Sequence, residues 1–165
     1  MKTLIVLTSP PACGKSTWAK RFKNDHPNTF IVSSDDIRIE LQGKVDKRYI
    51  EDDLWDLFDK RVREYASQDL ENLVVIADSN FYRNAYRTEL VKNHPEFDRY
   101  VLVIFTCLFD ESVENNKSED ERVIYPDDLL YKIWDDFEKP DAETLEYYDE
   151  FIRVIGNYKN TKVNN

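Results

Sequence analysis

The chain has 165 residues, of which 33 are acidic and 23 basic, a formal net charge of −10. That length suits one domain with a real core, and 41% hydrophobic with 13% aromatic residues excludes a disordered chain. The acidity argues against a protein that coats duplex nucleic acid, because such binding rests mostly on phosphate neutralisation by lysine and arginine. The charge is uneven: residues 1–109 hold 16 basic and 17 acidic groups, and residues 110–165 hold 7 and 16.

Residues 2–8 form a short apolar, β-branched run, read as a buried strand. A helix follows from Lys15 to Lys23, with Trp18, Ala19 and Phe22 on one face. Residues 29–32 read as a second strand. Ser33 to Asp36 then supply caps for a short helix from about Asp36 to Leu41. The spacing of Ile50, Leu54, Leu57, Phe58, Val62 and Tyr65 marks a long amphipathic helix over 47–69. Further strands are expected at 73–77, 100–106 and 151–155, and helices at 82–92, 110–116 and 126–138. A polar tail, 157–165, reads as frayed. The alternation implies an α/β fold, a parallel sheet with helices on both faces, in one domain over 1–165.

Cys13 and Cys107 are far apart and lack CxxC spacing, so neither a metal centre nor a disulfide framework is expected. The apolar run Leu4 to Leu7 is too short for a secretory signal, and no stretch approaches the roughly 18 apolar residues of a membrane span. A cytoplasmic protein with no membrane partner is expected, in the host cytoplasm if the chain is phage-encoded. A homo-oligomer is compatible with the sequence.

Directly after the first strand comes Ser9-Pro-Pro-Ala-Cys-Gly-Lys-Ser-Thr. It matches GxxxxGK[ST] at Gly14, Lys15 and Ser16, with Ser9 in place of the first glycine. This layout curls backbone N–H groups around an anion and opens a helix there, adding the positive end of its dipole. The tripeptide alone is common, and an ordinary strand-to-helix turn is the alternative. The strand before it and the helix after it make the match specific. Ser9, Ala12, Cys13, Gly14, Lys15, Ser16 and Thr17 are therefore candidates to bind ATP or another nucleoside triphosphate. Ser16 is a candidate Mg²⁺ ligand. The chain has only three glycines, so the loop is the first place to expect unusual backbone geometry.

Asp35 follows the second strand and so emerges at the sheet edge where the loop opens. A carboxylate there can take the proton of an attacking hydroxyl; capping of the short helix is the plainer alternative. Asp78 ends the third strand, as a site carboxylate or a turn former. Ile76-Ala-Asp-Ser-Asn lacks the glutamate that would activate water after such a strand, which disfavours a plain ATPase.

On these residues the chain resembles the kinase domain of phage 5′-polynucleotide kinase and related small P-loop kinases. The resemblance covers most of the chain and is densest at CGKSTWAKRF (13–22), SSDDIR (33–38) and ADSNFYR (77–83). It implies a three-layer fold with strand order 2-3-1-4-5 and a lid near 113–125. It also implies transfer of the γ-phosphoryl of ATP, with Mg²⁺, to a 5′-hydroxyl end of DNA or RNA. By the same resemblance Lys15, Ser16 and Thr17 meet the phosphates and Mg²⁺, Asp35 is the general base, Arg38 stands near the reacting centre, and Asp78 lies beside it. Arg122 falls in the lid as a catalytic arginine, with Lys117 a weaker candidate. Arg83 and Arg87 would bind substrate phosphate or pair with carboxylates. Tyr49, Trp55, Phe81 and Tyr82 could stack on a nucleic-acid end or serve as core. The crowded acids after residue 134 read as a solvated face, and His26 and His94 as turn residues. A small-molecule kinase acting on a nucleoside, sugar or other metabolite is the competing reading. A nucleotide-binding module without an acceptor is the third.

Overall fold

The computed structural model describes residues 1–44 and 51–155. Five strands form one sheet: β1 (Thr3–Thr8), β2 (Thr29–Ser33), β3 (Val74–Asp78), β4 (Arg99–Thr106) and β5 (Glu150–Ile155). Their order is β2-β3-β1-β4-β5, and every neighbouring pair is parallel, as the resemblance implies. The helices are α1 (Lys15–Asp25), α2 (Ser34–Gln42), α3 (Glu51–Ala66), α4 (Asn84–Asn93), α5 (Phe109–Lys117), α6 (Asp127–Asp136) and α7 (Ala142–Leu145). A 3₁₀ turn at Glu121–Val123 interrupts the segment between α5 and α6.

The central strand shows why both faces are covered. Successive side chains of a strand point to opposite faces. Leu4 and Val6 join Val32, Leu54, Phe58 and Val62 in one core. Ile5 and Leu7 join Ala19, Val101, Val103 and Phe105 in the other. Helices α3 and α1 close these two layers respectively, so β1 reads as a continuous apolar run because it has no solvent face.

Four local details depart from the sequence reading. Helix α2 begins at Ser34 rather than near Asp36, because the Ser33 hydroxyl accepts the Asp36 amide at 3.3 Å and acts as the cap. The carboxylates of Asp35 and Asp36 are thereby released from capping. Helix α3 ends at Ala66, where Ser67 turns its hydroxyl back to the Glu64 carbonyl. Helix α6 stops at Asp136, two residues short of the expected end. The short α7 was not expected at all; Asp141, read as one of the solvated acids, caps it by accepting the Thr144 amide at 2.8 Å. Ile50, Tyr49 and the tail 157–165 lie outside the described residues.

Among the described residues no helix is long and apolar enough to cross a membrane.

His94, at the end of α4, is fully buried. Its Nε2 lies 2.7 Å from Asp59 of α3 and its Nδ1 2.9 Å from Glu96. The ring is thus a rivet between the end of α4 and the middle of α3, where the sequence offered only a turn histidine. His94→Phe keeps a flat aromatic ring and strands both carboxylates. It should lower unfolding free energy by about 1–3 kcal/mol, read by urea denaturation; a midpoint equal to that of the parent would refute the rivet.

Candidate active site

In a parallel sheet all strands end at one edge. The register aligns Leu7 and Ser33 with Asp78, so the segments after β1, β2 and β3 leave the sheet side by side. The loop 9–14, Asp35 and Asp78 therefore meet without any long side chain having to reach.

The loop keeps the expected curl with fewer glycines. Gly14 adopts φ 94° and Ala12 adopts φ 56°, so an alanine accepts the left-handed geometry here. Ser9 keeps ordinary φ, and its buried hydroxyl has no hydrogen-bond partner. Helix α1 starts at Lys15 with no side-chain cap on Gly14, which leaves its first amides available to an anion. The loop is braced from behind by α5: the Ser112 hydroxyl donates to the Pro11 carbonyl at 2.6 Å, and the Asn115 amide to the Ala12 carbonyl at 2.9 Å. Thr17 sits half-buried in the first turn of α1.

Asp78 is the electrostatic centre. The Ser16 hydroxyl donates to its Oδ2 at 2.8 Å. Lys15 Nζ lies 3.7 Å from its Oδ1, too far for a hydrogen bond, and that buried oxygen has no other partner. A carboxylate oxygen left over beside a serine hydroxyl fits Mg²⁺, which keeps several waters and takes few protein ligands. Among the described residues no group of three or more histidine, cysteine or acidic side chains converges as a metal cage. The Asp36 carboxyl, which the sequence reading treated only as a cap, is raised above the usual carboxylate range by desolvation, then by Asp78 and Asp35.

Asp35 opens on the other side of the edge. Arg38 Nη1 donates to it at 3.3 Å, and Arg38 Nη2 reaches Glu51 at 3.2 Å. The Tyr125 hydroxyl lies 3.3 Å from each Asp35 oxygen and 3.3 Å from the Asn80 amide that donates to it. Burial, then the Asp35 charge, push the Tyr125 pKa upward, so the phenol stays a donor. The Asn116 side chain clamps the Tyr125 backbone from both sides, accepting its N–H at 2.9 Å and donating to its carbonyl at 2.8 Å. That clamp closes the loop 117–124. Sequence reasoning missed Tyr125, Asn80 and Asn116; the only signal was a Tyr-Pro pair at the end of the charged stretch.

Beside Asp35 lies a cavity of about 590 Å³, bordered by Arg38, Trp55, Phe81, Tyr82, Tyr125 and Lys132. Phe81 adopts φ 40°, unusual for a bulky residue and strained by about 1–3 kcal/mol. Its ring packs against Trp55 and Phe58, and its carbonyl accepts from Thr8 Oγ1 and Arg87 Nε, both at 2.8 Å.

Arg87 requires a correction. It was expected to face substrate phosphate or a carboxylate, yet it is fully buried. Its guanidinium donates to Thr8 Oγ1, to the Phe81 and Glu138 carbonyls and to Asn84 Oδ1, all uncharged oxygens. Burial pulls its pKa down to about 10. No donor is directed at the cavity, so Arg87 is a structural tie. Arg83, by contrast, is exposed and lies 3.6 Å from Asp136. Arg122 is exposed in the 3₁₀ turn and bound to Asp120 through Nε and Nη2 at 3.1 Å, and Lys117 pairs with Glu114. Neither lid cation is turned toward the phosphate loop through a hydrogen bond.

The cysteines are free thiols, but the fold brings Cys13 Sγ and Cys107 Sγ to 2.7 Å. Sequence spacing gives no sign of this proximity, which follows from β1 and β4 being parallel neighbours.

Known structures share this architecture. Kti12 of Chaetomium thermophilum, in complex with ADP-AlF3, superposes with a TM-score of 0.68 at 16% identity, over 92% of this chain and 88% of that one. A fungal RNA kinase gives 0.64 at 17% identity, over 99% and 76%. A chain of the Pnkp1/Rnl/Hen1 RNA repair complex gives 0.66 at 19% identity, over 90% of this chain. The chain spans less than half of what it matches in that complex, 46% in one structure and 42% in another. No curated sequence is significantly similar. The fold is that of the small P-loop kinases, as the sequence resemblance implies. The model of one family, described as chromatin associated protein KTI12, matches residues 2–146, and the chain belongs to that family.

Proposed function

We propose that the protein is an ATP- and Mg²⁺-dependent phosphotransferase that delivers the γ-phosphoryl group to a 5′-hydroxyl end of DNA or RNA. The observation that carries this reading is the placement of Asp35, on Tyr125 and Arg38, between the phosphate loop and an aromatic cavity. Loop amides and the N-terminus of α1 would cradle the phosphates, with Lys15 adding charge. Ser16 and Asp78 would hold Mg²⁺, which supplies charge neutralisation on the phosphate oxygens. Asp35 would accept the hydroxyl proton as the acceptor oxygen bonds to phosphorus and ADP departs. Tyr125 and Arg38 would fix the carboxylate toward the acceptor. Trp55, Phe81 and Tyr82 offer flat apolar faces on which a terminal base can stack. The RNA kinase and RNA repair proteins of like fold agree with this acceptor.

A small hydroxyl compound is the second reading, favoured by one feature. Glu51, Asp59 and Glu89 border the same cavity as Arg38 and Lys132. Such a wall suits a neutral acceptor better than a chain of phosphates. A third, nucleotide turnover with no acceptor, draws on the pairing of Arg122 with Asp120, which withholds a lid cation.

Incubation with γ-labelled ATP and Mg²⁺ separates the three. Label on 5′-hydroxyl oligonucleotides is expected. Label only on a nucleoside or sugar would replace the acceptor, and free phosphate alone would remove transfer altogether. Asp35→Asn should cut turnover at least about 100-fold while nucleotide affinity holds; parental turnover would exclude it as base. Tyr125→Phe removes one oriented hydrogen bond, so kcat should fall about fivefold at unchanged KM for ATP. An unaltered kcat would show that Tyr125 only packs.

A further inference from the structure

We propose that Cys13 and Cys107 form a reversible disulfide, driven by a peroxide, that fastens the phosphate loop to the joint between β4 and α5 and shuts off nucleotide binding. The shut-off rests on the phosphate-loop reading above; the bridge itself does not.

Geometry comes first. Strands β1 and β4 are parallel neighbours, with Thr8 level with Ile104. The chain leaving β1 reaches Cys13, and the chain leaving β4 reaches Cys107. Their sulfurs lie 2.7 Å apart and need to close only to about 2.05 Å. Both thiols are free, and Cys13 stands next to Gly14 and Lys15.

The two thiols are unequal in the way a redox pair requires. Cys13 is 1% exposed, packed among Leu7, Ala19 and Phe105, whereas Cys107 is only half-buried. The hydrogen bond from Cys13 lowers the Cys107 pKa, against the opposing effect of its partial burial. The same contact and burial raise that of Cys13. Cys107, the more exposed sulfur, is therefore the one that meets the oxidant, and the buried Cys13 the one that resolves it.

The chemistry balances with hydrogen peroxide. The Cys107 thiolate attacks one peroxide oxygen, the O–O bond breaks, and hydroxide leaves to give the sulfenic acid. The Cys13 sulfur then attacks the Cys107 sulfur, the S–O bond breaks, and the oxygen departs as water with the Cys13 proton. Two thiols lose two electrons and one peroxide becomes two waters. A dithiol reverses the step by exchange.

The mechanical consequence follows from what already holds the loop. Cys13 lies between two left-handed residues, Ala12 at φ 56° and Gly14 at φ 94°. Ser112 and Asn115 of α5 grip the carbonyls of Pro11 and Ala12. A bridge adds a covalent tie at the root of α5, so loop and helix can no longer shift independently. Phosphate binding depends on several loop amides converging on the same oxygens, and a misplacement on the order of 1 Å is costly. Closure of the segment after α5 would be restrained by the same tie.

The test uses the full chain, reduced, freed of reductant and titrated with hydrogen peroxide. Alkylation followed by intact and peptide mass spectrometry reads the bridge, and a fluorescent ATP analogue reads nucleotide affinity. Expected are a Cys13–Cys107 linked peptide, affinity weaker by about tenfold or more, and recovery with dithiothreitol. Cys107→Ser should bind nucleotide like the reduced parent and ignore peroxide. Two alkylatable cysteines after treatment would overturn the proposal, as would a bridge that leaves affinity unchanged. Equal peroxide sensitivity of Cys107→Ser would overturn it too. If the reduced chain binds no nucleotide, the phosphate-loop reading and the shut-off fall together, while the linked peptide still decides the bridge.

Discussion

The guanidinium of Arg87 holds together the parts on which the site depends. From the first turns of α4 it reaches back under the sheet edge. There it binds the last residue of β1, the carbonyl of Phe81 and the carbonyl of Glu138. Thr8 immediately precedes the phosphate loop, Phe81 forms a cavity wall, and Glu138 belongs to the segment beyond α6. Tyr148 adds a further tie, donating to the Arg87 carbonyl at 2.9 Å. A charge buried among neutral oxygens is costly unless each donor is met. Meeting them with three different chain segments is what fixes those segments in one arrangement. The left-handed backbone at Phe81 persists because its carbonyl is caught from two sides.

Around that anchor the site divides into two electrostatic compartments. On the loop side, Lys15 and Ser16 face Asp78, and one carboxylate oxygen remains unsatisfied. On the cavity side, Asp35 is set between a guanidinium and a phenol. Asp78 ends β3 and Asp35 lies just past the end of the neighbouring β2, so two nearby carboxylates have different surroundings. The cap at Ser33 contributes to this division, because it satisfies the helix and leaves Asp35 to other partners.

The acidic excess, which looked like an objection to any anionic partner, is partly internal in use. Asp141 caps α7, Asp149 accepts the Tyr100 amide at 2.8 Å, and Glu150 pairs with Arg99. The last two fasten the start of β5 to β4, at the far end of the strands from the phosphate loop. The cavity beside Asp35 has two cations on its lining, Arg38 and Lys132, and a larger share of aromatic rings, among them Trp55, Phe81 and Tyr82.

What the sequence determined by itself is whatever local pattern encodes. The five strands and their alternation with helices follow from apolar runs and helical spacing. The phosphate loop follows from a contiguous motif, and the neighbourhood of Asp35 and Asp78 from their position just at strand ends. A parallel sheet sends every such end to one edge, so sequence position became spatial proximity. Only the tertiary structure decided the rest, because it depends on residues that meet across long stretches of chain. Arg87 looked like a surface cation one turn from Arg83 and became a buried tie, since helix phase alone does not say what fills the space beneath. Tyr125 gained its place on Asp35 through an amide clamp from Asn116, a pairing with no periodic trace. The spacing of the cysteines does not reveal that the register of β1 on β4 brings their sulfurs together.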